Sequence, residues 1–249
     1  MIDLQNISKT YNIGKVNQVK ALDKLNLNIQ AKDFVVVVGA NGSGKSTLLD
    51  LIAGTIFPDE GSIVMDGKDV IKWPDYKRSK LVARVFQNPF SGTSADLSIL
   101  DNFRLAGLRT KHKTLKIGVD AEFKKRVSEK IAQLGMGLEN KLLQPMGSLS
   151  GGQRQALTLL MAVMDDVKIL LLDEPTAALD PRSAEIVLKL ANKLAQQYNF
   201  CTVLITHNLK DAFQNGNHIL QMAEGKIIRD LDHSSKNKLT QNEIFNWFS

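Results

Sequence analysis

Nine consecutive residues, Gly39-Ala40-Asn41-Gly42-Ser43-Gly44-Lys45-Ser46-Thr47, place glycine, lysine and hydroxyl side chains at the spacing G-x-x-x-x-G-K-[ST]. Glycines let successive backbone N–H groups converge on phosphate oxygens, and a helix that starts at the lysine adds the partial positive charge of its N-terminus. In such a loop Lys45 reaches the β- and γ-phosphates of a nucleotide, while the Ser46 hydroxyl serves Mg²⁺. The flanks support this reading over a plain glycine-rich turn. The β-branched run Phe34–Val38 precedes the loop, and a helical pattern over Lys45–Ile52 follows it.

Two further segments carry chemistry. Ile169-Leu170-Leu171-Leu172 is an apolar run that ends in Asp173 and Glu174. Strands of an open α/β sheet present their C-terminal ends to the ligand crevice. Consecutive strand residues point to opposite sides, so the two carboxylates have different tasks. Asp173 is placed in the Mg²⁺ shell, through water, and Glu174 as the general base that polarises the attacking water. The second segment, Leu149-Ser150-Gly151-Gly152-Gln153, precedes a helical pattern over Gln153–Met164. Ser150 and Gln153 fit a capping box. Two glycines at the same point exceed what capping needs, and they let a phosphate approach the helix start with Ser150 as a further donor. One chain has no use for two anion seats on one γ-phosphate, so this seat is expected to serve a nucleotide held by another subunit.

These residues need rigid elements behind them. Phe34–Val38, Leu81–Phe86, Ile169–Leu172 and Thr202–Thr206 are continuous apolar runs, as in parallel strands buried on both faces. Helical patterns lie between them, including Ala184–Tyr198 with Ile186, Leu190, Leu194 and Tyr198 at four-residue spacing. Together they predict a doubly wound α/β core. The first seventy residues read as further strands, over Ile2–Ile7, Leu25–Ile29 and Ser62–Val70, the last with an Asp66-Gly67 turn. Asn88–Ser148 has no comparable run, and it reads as a helical insertion with helices over Leu97–Leu108 and Ala121–Leu134. The chain of 249 residues, 43% apolar and 23% charged, is ordinary for a globular fold. Its apolar runs fall far short of the roughly 20 residues that span a bilayer. The opening Met1–Asn12 is polar, so no secretory signal is expected. The single cysteine, Cys201, excludes an internal disulfide framework.

Taken together, the chain resembles the ATP-binding cassette (ABC) ATPases along essentially its whole length. Five motifs stand in that family's order: the phosphate loop, Gln87, Leu149–Gln153, Ile169–Glu174 and His207. The resemblance implies a single domain over residues 1–249 of the α/β class. Its parts are a P-loop NTPase core with a mostly parallel sheet, an N-terminal antiparallel β subdomain, and a helical subdomain at 88–148 inserted between 1–87 and 149–249. It implies ATP and Mg²⁺ as ligands, with ATP hydrolysis as the activity. Tyr11 is similar to the aromatic residue that stacks on adenine. Gln87 is similar to the residue that meets Mg²⁺ and the attacking water. Ala178-Leu179-Asp180 resembles the loop that crosses between subunits, although serine is usual where Ala178 stands. His207 is similar to the switch that contacts the γ-phosphate and Glu174.

The resemblance also implies a head-to-tail homodimer sandwiching two ATP molecules between Lys45 of one copy and Ser150 of the other. Two permease subunits, docked near Asn88–Phe103, would hold the dimer at the cytoplasmic face of the membrane. Asn88-Pro89-Phe90-Ser91-Gly92-Thr93 and Thr158-Leu159-Leu160-Met161 are similar to bacterial uptake ATPases that work with an extracytoplasmic binding protein for amino-acid-like solutes. An exporter or lipoprotein-release ATPase would share every catalytic residue, and a soluble nucleic-acid-associated member would carry two cassettes or long insertions. The net charge of +6 concentrates between Arg109 and Lys130, where eight Lys/Arg face three acids. Two accounts of that run stand open, a solvated helical face and a surface near anionic lipid headgroups. Nucleic acid is not expected, because no aromatic residue but Phe123 interleaves the run.

Overall fold

A computed structural model describes residues 1–109, 118–238, 240, 243, 244 and 247. In chain order the elements are β1 (Ile2–Tyr11), β2 (Val19–Ile29), β3 (Phe34–Gly39), α1 (Lys45–Ala53), β4 (Glu60–Met65), β5 (Lys68–Asp69), α2 (Asp75–Arg78), β6 (Val82–Val85), α3 (Ile99–Ala106), α4 (Ala121–Ala132), α5 (Gly151–Ala162), β7 (Ile169–Asp173), α6 (Pro181–Tyr198), β8 (Cys201–Ile205), α7 (Leu209–Gln214), β9 (His218–Ala223), β10 (Lys226–Leu231) and α8 (His233–Lys236). They form an antiparallel sheet ordered β2-β1-β4-β5 and a second sheet ordered β10-β9-β3-β8-β7-β6. In the second sheet all neighbours are parallel except the β9–β10 edge. The architecture is the α/β class expected.

The continuous apolar runs follow from burial on both faces. Phe34, Val36 and Val38 of β3 join one core, with α3 to α6, whereas Val35 and Val37 join another, with α1 and the antiparallel sheet. Leu170 and Leu172 of β7 face the first core, and Ile169 and Leu171 the second. Either side chain parity meets apolar neighbours, so no polar alternation is needed. β1 alternates weakly because its register to β2 shifts between Leu4 and Ile7 and again before Thr10. The Asp66-Gly67 turn joins β4 to β5 with both residues left-handed, φ 50° and 73°. One hairpin was not anticipated. β9 and β10 are joined at Glu224-Gly225, with φ 47° and 75°, and β9 completes the parallel sheet beside β3.

Between β6 and α5 the described residues hold α3, α4 and a short 3-10 turn, Met146–Ser148, and no strand. Ser98 caps α3 and Asp120 caps α4, each accepting from a first-turn N–H. Phe123 of α4 is buried, with Arg104 and Arg126 guanidinium groups over its ring at 5.7 and 5.3 Å. Lys111, Lys113 and Lys116 of the basic run, and most of the connection between α3 and α4, lie outside the described residues. No helix among the described residues is long and apolar enough to cross a membrane.

α1 is closed at its far end by Arg78, which is fully buried. Its guanidinium donates to the carbonyls of Leu51 and Ile52 in the last turn of α1, and to those of Val70, Ile71 and Trp73. Burial pushes this guanidinium down to about 10. Arg78→Met keeps the volume and leaves those carbonyls without a donor. It is expected to cost about 3 kcal/mol or more of stability, read as a lower midpoint in urea denaturation.

Candidate functional site

The loop between β3 and α1 is shaped by close approaches that only glycine permits. Gly44 caps α1 in the left-handed region at φ 101°, and a Cβ there would lie 2.4 Å from the Ala21 carbonyl oxygen. A Cβ on Gly39 would lie 2.4 Å from the Met222 carbonyl oxygen. The start of α1 has no side-chain cap and no acidic residue in its first turn, so its orphan N–H groups have no side-chain acceptor among the described residues. Asn41, Gly42 and Ser46 are exposed, Ser43 is buried and Thr47 is half-buried. Lys45 is 5% exposed, and its ammonium donates to the Gly39 and Ala40 carbonyls, both at 2.9 Å. Burial holds the Lys45 pKa below its ordinary value, and Glu174 and Asp173 offset only part of that shift. The loop is thus a cradle for an anion, closed around a cation that rests on weak partners.

At the end of β7 the two carboxylates part company, as their alternation requires. Asp173 takes a hydrogen bond at 2.6 Å from Arg84 on β6, whose other terminal nitrogen binds Asp50 of α1 at 2.5 Å. Burial lowers the Arg84 pKa, but Asp173 and then Asp50 more than offset it, leaving the guanidinium above its ordinary value. Glu174 has φ 46°, a left-handed conformation that costs a side-chain-bearing residue about 1 kcal/mol. Its own N–H to the Ile205 carbonyl at 3.1 Å holds it there. Its carboxylate meets His207 Nε2 at 2.5 Å. The pair lines one end of a groove of about 980 Å³ between α6 and α7.

Gln87 lies two residues past β6 and is exposed, while the Phe86 carbonyl just before it accepts from Gln155 of α5 at 2.9 Å. Gln87 makes no hydrogen bond to Asp173, Glu174 or His207 among the described residues. Tyr11 ends β1, is 36% exposed, and has the Lys9 ammonium 5.9 Å from its ring centre. Its neighbour strand β2 carries the Ala21 carbonyl that leaves no room for a Cβ at Gly44, so Tyr11 belongs to the sheet beside the phosphate loop. The oxygen donors Ser46, Gln87 and Asp173 suit a hard cation such as Mg²⁺. Among the described residues no cluster of three or more His, Cys, Asp or Glu could hold a metal by itself.

Ser150 and Gln153 form both halves of a capping box at the start of α5, with Ser150 N to Gln153 Oε1 at 3.1 Å and Gln153 N to Ser150 Oγ at 3.3 Å. No hydrogen bond joins this segment to the phosphate loop among the described residues. For Gly152 the structure supplies a reason inside the chain. A Cβ there would lie 2.3 Å from Ser183 Oγ and 2.5 Å from Ser183 Cβ on α6. Gly151 meets its neighbours, Leu179 and Pro89, only at ordinary distances of 3.5 and 3.8 Å. Asp180 caps α6 by accepting from the Ser183 N–H at 3.0 Å, and the Ser183 hydrogen bonds hold its carboxyl below the usual range. Arg84, Gln155 and Ser183 escaped the sequence reading. Arg84 alone carried a signal, a charge in the middle of the apolar run Val82-Ala83-Arg84-Val85.

A model of the ABC transporter family matches residues 22–177. A tyrosine transport ATP-binding protein of Clostridioides difficile is 36% identical over 251 positions, covering 100% of this chain and 98% of that protein. A thiamine import ATP-binding protein of Vibrio parahaemolyticus is 36% identical, covering 91% of this chain and 89% of that protein. Among solved structures, an ATP-binding cassette seen as a dimer in a post-hydrolysis state with ADP and phosphate superposes with a TM-score of 0.80 at 29% identity, covering 94% of this chain and 99% of that one.

Gly152→Ala is expected to destabilise the chain by about 1–3 kcal/mol through overpacking against Ser183. Adding Ser183→Gly, which keeps the backbone N–H that caps α6, restores most of the loss. Chemical denaturation of the single and double variants checks this. If Gly152→Ala costs as much in the Ser183→Gly background as in the wild type, Ser183 is not the cause.

Proposed function

The chain belongs to the ABC transporter ATP-binding family, and on that premise we propose that it powers uptake of an amino-acid-like solute through separate permease subunits. Its activity is ATP hydrolysis, with ATP and Mg²⁺ bound. The observation that carries the finer reading is the end-to-end likeness to the tyrosine transport ATP-binding protein, with import ATP-binding proteins for thiamine and for sulfate or thiosulfate also among its relatives.

In this reading Gly39, Asn41, Gly42, Ser43, Gly44 and Thr47 wrap the phosphates with backbone and hydroxyl donors, and Lys45 leaves its carbonyl partners for the β- and γ-phosphates. Ser46, Gln87 and Asp173 would hold Mg²⁺, which would supply positive charge against the phosphate oxygens. Tyr11 stacks on the adenine. Glu174 takes the proton of the attacking water, and His207, already paired with it, orients that carboxylate toward the γ-phosphate. The second seat, Ser150, Gly151, Gly152 and Gln153, faces the nucleotide of a partner copy in a head-to-tail homodimer.

Residues 88–148 act as the helical subdomain between 1–87 and 149–249, and the permeases dock along Asn88–Phe103. The assembly sits at the cytoplasmic face of the membrane, with an extracytoplasmic binding protein delivering the solute.

Two measurements test the reading. Glu174→Gln is expected to bind ATP and accumulate as a dimer in size-exclusion chromatography; monomer alone with continued hydrolysis overturns the assignment of the base. Co-purified with its permease subunits and placed in vesicles, the protein is expected to drive ATP-dependent accumulation of tyrosine. Accumulation of thiamine instead would sink the solute assignment and keep uptake.

A further inference from the structure

Arg84 is the one charged residue of β6, and it reaches three parts of the site at once. Its guanidinium binds Asp173 Oδ2 at 2.6 Å and Asp50 Oδ1 at 2.5 Å. Asp50 is itself held by the Thr55 hydroxyl at 3.2 Å, so it is an anchored partner on α1, the helix that begins with Lys45 and Ser46. The guanidinium carbon, Cζ, lies 4.9 Å from the centre of the ring of Phe86, the residue next to Gln87. Arg84 is the only side-chain hydrogen-bond partner of Asp173 among the described residues, and it occupies one carboxylate oxygen and leaves the other. A planar fork between two carboxylates fixes the direction of both, which a single ammonium cannot do.

We propose that Arg84 is a positioning residue for the divalent cation: it locks Asp173 to the phosphate-loop helix through Asp50 and so aims the remaining carboxylate oxygen at the metal. This rests on the reading of Asp173 as a residue of the metal shell. A guanidinium beside a metal also repels it, so removing the charge would mix two effects of opposite sign. Arg84→Lys keeps the charge and removes only the fork, which isolates the geometric effect.

The test uses Mn²⁺ as the probe, with free Mn²⁺ read by electron paramagnetic resonance in the presence of a non-hydrolysable ATP analogue. For Arg84→Lys the half-saturating Mn²⁺ concentration is expected to rise about tenfold, the scale of losing a residue that orients a metal ligand. Affinity for the analogue in EDTA is expected to stay within twofold of wild type. Asp50→Ala, which leaves the Arg84–Asp173 bond but removes the acceptor that ties Arg84 to α1, is expected to shift Mn²⁺ binding in the same direction. Asp173→Asn separates the two readings. If it leaves Mn²⁺ binding unchanged, the metal role of Asp173 fails. If it weakens binding while Arg84→Lys matches wild type, or if Arg84→Lys loses affinity equally in EDTA, Arg84 has no positioning role.

Discussion

Parallel pairing makes neighbouring strands end on the same edge, and the whole site depends on that constraint. Val85 pairs with Leu172, Leu172 with Leu204, and Leu204 with Val36. One row further on stand Asp173, Ile205 and Val37. Gln87 and Glu174 each lie two residues beyond the Val85–Leu172 row, and Gly39 and His207 each lie two residues beyond the Val37–Ile205 pair. Residues scattered over 168 positions, from Gly39 to His207, therefore emerge as one line at the C-terminal edge. The side chains need no long-range steering of their own, because the ladder registers already place them.

Buried cations divide by what holds them. Arg78 and Lys236 are surrounded by carbonyl oxygens, with Lys236 bonded to those of Ala212, Asn215 and Gly216 behind α7. Burial pushes them down to about 10 and about 8. Both close helix C-terminal ends, where carbonyls lack partners. Arg84 has two carboxylates and is shifted upward instead. Lys45 is buried like the first group but bonds to carbonyls of a loop that has no helix end to satisfy. Under the proposed function, those carbonyl bonds are exchanged for charge-assisted bonds to phosphate oxygens.

How much was legible follows from locality. The phosphate loop, the capping box at Ser150 and the acidic end of β7 are each written in consecutive residues, and strand, helix and turn chemistry place them without reference to the rest of the chain. The β9–β10 hairpin had a local signal in Glu224-Gly225, yet Gln221 breaks its apolar run while being buried with Arg229 as its partner. Tertiary pairing beside β3 supplies what the pattern lacks. Ser183 stands 31 positions from Gly152, and Asp173 stands 89 from Arg84. Contacts of that kind are made by packing, and no spacing rule reveals them. The reading of Gly152 shows the consequence, since half of what looked like room for a ligand is room for Ser183.

The two helix starts proposed as anion seats differ in readiness. The start of α1 has bare N–H groups, whereas the start of α5 is already capped by its own Ser150 and Gln153. Capping does not close the second seat. In the box Ser150 Oγ accepts one N–H, and a hydroxyl that accepts still has its own hydrogen to donate. Accepting from the backbone fixes the oxygen and leaves that hydrogen free to turn outward, on the side where Gly151 has only ordinary contacts. A well-capped helix start and a phosphate donor are thus the same arrangement seen from two sides. Under the proposed function, the phosphate that this hydroxyl meets belongs to the nucleotide of a partner copy.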